Sequence, residues 1–113
     1  MRTIKFRIWD KQLKAFLYRL PEKHHLDWER FDVQQFTGLL DSKGKEVYEG
    51  DIAQIIDGGE TEVYEIKWQG EYDYAAFELD KWEGECNGLA EAVACPEIEI
   101  EVIGNIYENE ELI

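Results

Sequence analysis

The sequence is poor in the residues that stiffen, cross-link or interrupt a chain: two prolines and two cysteines stand among 113 residues. Cys86 and Cys95 have eight residues between them, neither a CxxC redox pair nor a zinc-knuckle spacing, so both are expected as buried, reduced thiols. No apolar run approaches the roughly 20 residues that a membrane helix needs, and no membrane partner is expected. The opening MRTIKFRIWD breaks its apolar residues with charges, so no export signal is expected there. GxGxxG, GxxxxGK, HExxH and GxSxG are all missing, which removes the common nucleotide, zinc-protease and serine-hydrolase signatures. Positive charge is scarce as well. Twelve Lys and Arg face 26 Asp and Glu, for a formal charge of −14. Such a surface repels phosphate, so direct binding to nucleic acid is not expected, a local basic patch in the first 30 residues being the one exception.

What is present is enough to fold. With 44% hydrophobic and 13% aromatic residues, the chain can bury one core, and its length fits a single domain over residues 1–113. The charge is unevenly spread: residues 1–30 carry a net +4 and the remainder −18. The basic segment can therefore lie on the acidic remainder, in its own chain or in a neighbouring subunit.

The pattern along the chain is that of short strands and tight turns. Ile4, Phe6 and Ile8 alternate with Lys5, Arg7 and Trp9, and a second apolar run at 15–20 completes a hairpin. Residues 22–34 fit neither period and read as a loop or a helical turn. Asp41-Ser42-Lys43-Gly44 suits a type I turn, Glu49-Gly50-Asp51 a second turn, and Asp57-Gly58-Gly59 the tip of a hairpin between 52–56 and 63–68. Residues 72–79 are a further strand candidate. The 89–94 stretch has helix-forming composition, and Ile98, Ile100 and Val102 alternate with Glu97, Glu99 and Glu101 in a last strand. Six or seven such strands imply an all-β, mainly antiparallel fold. Tyr64, Trp68 and Tyr74 are expected to face its core.

Three stretches together resemble the YopX family of phage and prophage proteins. They are IKFRIWDK at the start, QFTGLLDSKGKEVYEGDI in the centre and EVIGNIYENEEL near the end, in order and with compatible spacing. Glu110 stands where the family commonly has proline, and roughly 70–95 carries no family motif. The resemblance implies a YopX-like small barrel or strongly curved sheet with a short helical or irregular insertion. It further implies phage or prophage origin, action in the bacterial cytoplasm and a homo-oligomer. It supplies no catalytic residues and no cofactor.

Several groups are candidates for function. Gly38, Gly44, Gly50 and Gly104 fall at expected turns, with Asp41 and Asp51 placed to accept backbone N–H groups across them. Tyr48, Glu49 and Asp51 could instead share a cleft as a small-ligand or divalent-metal-dependent enzyme site. His24 and His25, with Asp27 and Glu29, form either a solvated loop or a weak metal set, and no metal is assigned. Glu97, Glu99 and Glu101 place carboxylates roughly 7 Å apart, a solvent face or a mimic of nucleic-acid phosphate aimed at a host or phage protein. Trp9 alternates out of phase with Ile4, Phe6 and Ile8, which places it beside Arg7 on an outer face, where the pair is expected either to make a subunit contact or to pack under a loop. The reading is of a non-catalytic, self-associating acidic protein.

Overall fold

The computed structural model describes residues 3–19, 29–68, 76–82 and 88–113. Eight strands among them form two four-stranded antiparallel sheets. The first sheet has the order β2-β1-β3-β4, with β1 at Phe6–Asp10, β2 at Ala15–Leu17, β3 at Phe31–Leu40 and β4 at Glu46–Tyr48. The second has the order β7-β6-β5-β8, with β5 at Asp51–Asp57, β6 at Glu60–Trp68, β7 at Phe77–Leu79 and β8 at Ile98–Asn105. One helix, α1 at Gly88–Ala94, packs against β7, β8 and β3. The fold is all-β with a short helical insertion, as the sequence suggests.

Both expected hairpins form. Ile8 pairs with Leu17 in β1–β2, and β5 and β6 pair from Ile52↔Glu65 to Asp57↔Glu60 around Gly58-Gly59. At 31–34 the structure departs from the expected loop. Phe31-Asp32-Val33-Gln34 belongs to β3, because β1 supplies a complete ladder for it, from Asp10↔Phe31 to Phe6↔Gln35. Of the 72–79 candidate, Phe77–Leu79 is strand β7; residues 69–75 with Tyr74, residues 20–28 with His24 and His25, and Cys86 all lie outside the described residues. Cys95 is half-buried and free.

The hydrophobic core sits on the second sheet. Ala53, Ile55, Ile66, Leu79, Ile100 and Val102 pack with Val47 of β4 and with Leu89 and Ala92 of α1. Leu89 and Ala92 are three residues apart, which puts both on the buried face of the helix. Pro96 follows two residues after the helix ends, where its missing N–H cannot extend the ladder.

The inner face of the first sheet differs from the expectation. Cross-strand neighbours share a face, so Arg7 and Trp9 lie with Gln34 and Asp32 of β3 and Phe16 of β2. This is the side that meets the second sheet, whereas on the opposite face Ile4 and Phe6 are 59% and 48% exposed and Ile8 alone of the three is buried, at 4%. Trp68 likewise is 45% exposed rather than in the core, because it lies at the far end of β6, where among the described residues only Phe77 of β7 pairs with it.

Candidate functional site at the junction of the two sheets

The three motif stretches, remote in sequence, converge where the sheets meet. From the first comes Arg7, 7% exposed, whose Nε donates to Gln34 Oε1 at 2.8 Å and whose Nη2 donates to Asp51 Oδ1 at 2.6 Å. Its guanidinium also lies 4.3 Å from the centre of the Phe16 ring and 4.7 Å from that of Tyr48. The residue is thus paired, hydrogen-bonded and sandwiched, which is how a buried cation is tolerated. From the same strand, Trp9 stacks on Tyr107 at 4.9 Å and meets Phe16 edge-on. The expectation of an outer-face Arg7–Trp9 contact is therefore corrected. Both side chains are consumed within their own chain, because their binding partners arrive from residues 51 and 107.

The central stretch supplies the other half of the joint. Asp51 is 1% exposed; its Oδ2 accepts the Tyr48 N–H at 2.8 Å while its Oδ1 takes Arg7. Burial pushes the Asp51 carboxyl up from its ordinary value, and the Arg7 charge partly counters this. Glu49 Oε1 accepts the Gln35 N–H at 2.9 Å, and Gly50 N donates to Ile66 O at 2.8 Å. Gly50 has φ +83°, and a Cβ there would stand 1.8 Å from the Gln34 amide nitrogen, so only glycine lets Gln34 reach Arg7.

The closing stretch locks onto both. Ile106 N donates to Gly50 O at 2.9 Å. Asn105 Oδ1 accepts the N–H groups of Tyr107 and Glu108, forming a turn that delivers the Tyr107 ring onto Trp9. The Tyr107 hydroxyl donates to Asp32 Oδ2 at 3.0 Å. Burial and that carboxylate hold the phenol far above its usual range, so it stays a proton donor. Gly104 lies in β8 rather than in a turn, at a bulge opposite Ile52, where the Asn109 side chain approaches too closely for any Cβ. Gly38 is similarly displaced from the expected turn: it sits inside β3, φ +89°, where the β3–β4 register shifts.

Asp41 and Gly44 occupy the expected turn. Gly44 N donates to Asp41 O at 3.0 Å, and Asp41 Oδ1 accepts the N–H groups of Lys43 and Lys45. Asp41 Oδ2 reaches further, to the N–H of Val102 at 2.9 Å, while Ser42 exchanges hydrogen bonds with Ile100. The turn therefore covers the outer edge of β8, a role that turn chemistry alone does not announce.

Part of the basic segment pairs with acidic residues of its own chain. Lys5, Arg7 and Lys11 of the basic segment pair with Glu46, Asp51 and Asp32. In the acidic stripe Glu97 and Glu99 are exposed, Glu97 just ahead of β8, while Glu101 is half-buried and bonded to Lys43 Nζ at 2.8 Å. Beside the joint runs a groove of about 420 Å³ lined by Gln34, Glu49, Glu65, Lys67, Trp68 and Tyr107, among others. Burial raises the Glu65 carboxyl there. The groove can admit a polar ligand, but Asp51, the carboxylate nearest the motif's centre, has both oxygens filled by protein donors.

The architecture of two curled antiparallel sheets is shared with a solved structure. The crystal structure of protein EF1440 from Enterococcus faecalis matches it with a TM-score of 0.70 over 99% of each chain, at 22% sequence identity. A family model described as YopX protein matches residues 18–113, and the chain belongs to the YopX family. That match takes in the central and closing stretches and leaves IKFRIWDK outside it. Among curated proteins nothing matches the chain.

Proposed function

We propose that the protein acts by association rather than turnover: a phage- or prophage-encoded acidic domain of the bacterial cytoplasm that self-associates and binds a host or phage protein. The observation that carries this reading is the state of the motif's reactive groups. Asp51 is held by Arg7 and the Tyr48 N–H, Tyr107 donates to Asp32, and Glu49 holds the Gln35 N–H, so the family signature is spent on joining two sheets. The solvent meanwhile receives carboxylates such as Glu97 and Glu99. Mimicry of nucleic acid is the specific form of this reading that the acidic stripe supports, with the Glu101–Lys43 bond reducing the stripe to two fully presented charges.

Affinity capture from nuclease-treated bacterial lysate tests it. The expected result is a nucleic-acid-binding protein released as salt rises and lost when Glu97, Glu99 and Glu101 are all changed to Gln. Recovery of the same proteins by wild type and triple variant overturns the mimicry. Sedimentation of the purified protein over a concentration series reads self-association directly; a monomer throughout removes that part.

A further inference from the structure

We propose that the outer edge of β6, over residues 60–64, is a docking site for an extended basic peptide, which adds to the second sheet as a new strand. β6 is nine residues long, but β7 pairs only with Ile66, Lys67 and Trp68. One further bond, from Asp80 N to Glu65 O at 2.7 Å, ends the contact. That bond shows that Glu65 turns its backbone polar groups toward the β7 side. By the two-residue period of a strand, Val63 and Thr61 do the same. No strand lies across from them among the described residues, and residues 60–63 are all exposed. An unpaired row of N–H and C=O groups is a template for strand addition.

The chemistry of the occupant follows from what adjoins this edge. Glu60 and Glu62 face the inner side of the sheet, where with Asp57 and Glu91 they rim a cavity of about 200 Å³ floored by Ile55 and Ala92 and flanked by Trp82. The Tyr64 hydroxyl donates to Glu62, and no lysine or arginine pairs with any of the four carboxylates among the described residues. A side chain opposite Glu62 on an added strand would stand about 5 Å from it and over this cavity. Lysine or arginine satisfies both the acidic rim and, with its aliphatic stem, the apolar floor. A second copy of β6 on the same edge would instead oppose Glu60 and Glu62 with their own equivalents, so charge favours a basic partner.

This deepens the association reading by naming a surface and a partner chemistry, and it does not depend on the Glu97–Glu101 stripe. The test uses a labelled peptide of alternating Lys and Val, nine residues long, followed by fluorescence anisotropy and by amide hydrogen exchange of the full chain. Binding is expected to protect the Thr61 and Val63 amides. Val63→Pro removes an edge donor without touching the β5 ladder and should weaken binding at least tenfold. Glu60→Gln with Glu62→Gln should flatten the salt dependence, while the Glu97, Glu99 and Glu101 triple variant should bind the peptide as wild type does. A peptide that binds equally well after Val63→Pro, with Thr61 and Val63 still exchanging, is held by general charge attraction and overturns the proposal. Failure of the peptide to bind also overturns it, as does protection of the same amides in the protein alone as its concentration rises, which would assign the edge to a second copy.

Discussion

The two buried regions of this molecule are built by opposite means. On the second sheet, Ile55, Ile66, Leu79, Leu89 and Ile100 fill space with aliphatic side chains that have no directional demands. At the junction, Arg7, Gln34, Asp51 and the rings of Trp9, Phe16 and Tyr107 are each held by a named partner. An aliphatic cluster tolerates exchange among residues of similar volume, whereas a buried charged network penalises the loss of any single member. The comparison teaches that burial on the second sheet supplies cohesion, while the junction specifies how one sheet sits on the other.

The largest effect should come from breaking the junction's ion pair. Arg7→Met leaves the Asp51 carboxylate buried without its cation, at a cost of about 3–5 kcal/mol in urea unfolding. Pairing it with Asp51→Asn should restore part of that stability, since the charge and its counter-charge then leave together; a double variant no better than the single one would show that the two residues are not coupled. In the aliphatic region Ile66→Ala should cost about 3 kcal/mol and Ile66→Val about 1 kcal/mol, the graded response of a cavity rather than of a network. An equal loss in both would contradict the distinction.

Smaller effects sharpen the same contrast. Gly50→Ala places a Cβ against Gln34 in a left-handed backbone and should cost about 2–3 kcal/mol, with Gln34→Ala relieving the clash but not the φ strain. At the outer end of β1, Asp10 accepts hydrogen bonds from Arg30 Nε and Nη2 and from the N–H groups of Gln12 and Leu13. The hydrogen bond from Arg30 leads in drawing its carboxyl down to about 2 from 3.8. A carboxylate whose folded pKa is lowered stabilises the fold above its unfolded value and loses that contribution as pH falls through the folded one. The advantage of wild type over Asp10→Asn should therefore be constant above about pH 4 and vanish toward about pH 2, as read from urea midpoints. Asp51, displaced upward by burial, works with the opposite sign, its ionised form being the one the fold disfavours as pH rises. The smallest change belongs to the surface: Lys43→Met removes an exposed partner of Glu101 and should move stability by less than about 0.5 kcal/mol.

Turns and hairpins were the most legible features, because their signals are local. Gly58-Gly59 marks the β5–β6 hairpin, Asp41 and Gly44 mark their turn, and the Ala-rich 89–94 stretch marks α1. Which side of β1 faces inward was not legible. Alternation separates two faces without saying which one meets the rest of the protein, and the answer depends on Asp51, 44 residues away, and on Tyr107. Charge misled in the same way at 31–34, where Asp32 and Gln34 read as loop chemistry but are the partners of Tyr107 and Arg7 on an inward face. Gly38 and Gly104 read as turns because glycine announces unusual backbone or close approach, and bulges inside strands need it for the same reasons.

The turn at Asp41 and Ser42 has a consequence for the order of synthesis. Its side chains and backbone find their partners at Ile100 and Val102, separated by 58 and 61 positions, and β5 lies between β6 and that same late strand. Chain emerging from the ribosome can form the β5–β6 hairpin early, but the seam between the central turn and the second sheet waits for β8. Pairings of such sequence separation are slow to form because loop entropy is lost before contacts are gained. Closure of this seam should therefore be a late step of folding, with the central turn as its final clasp.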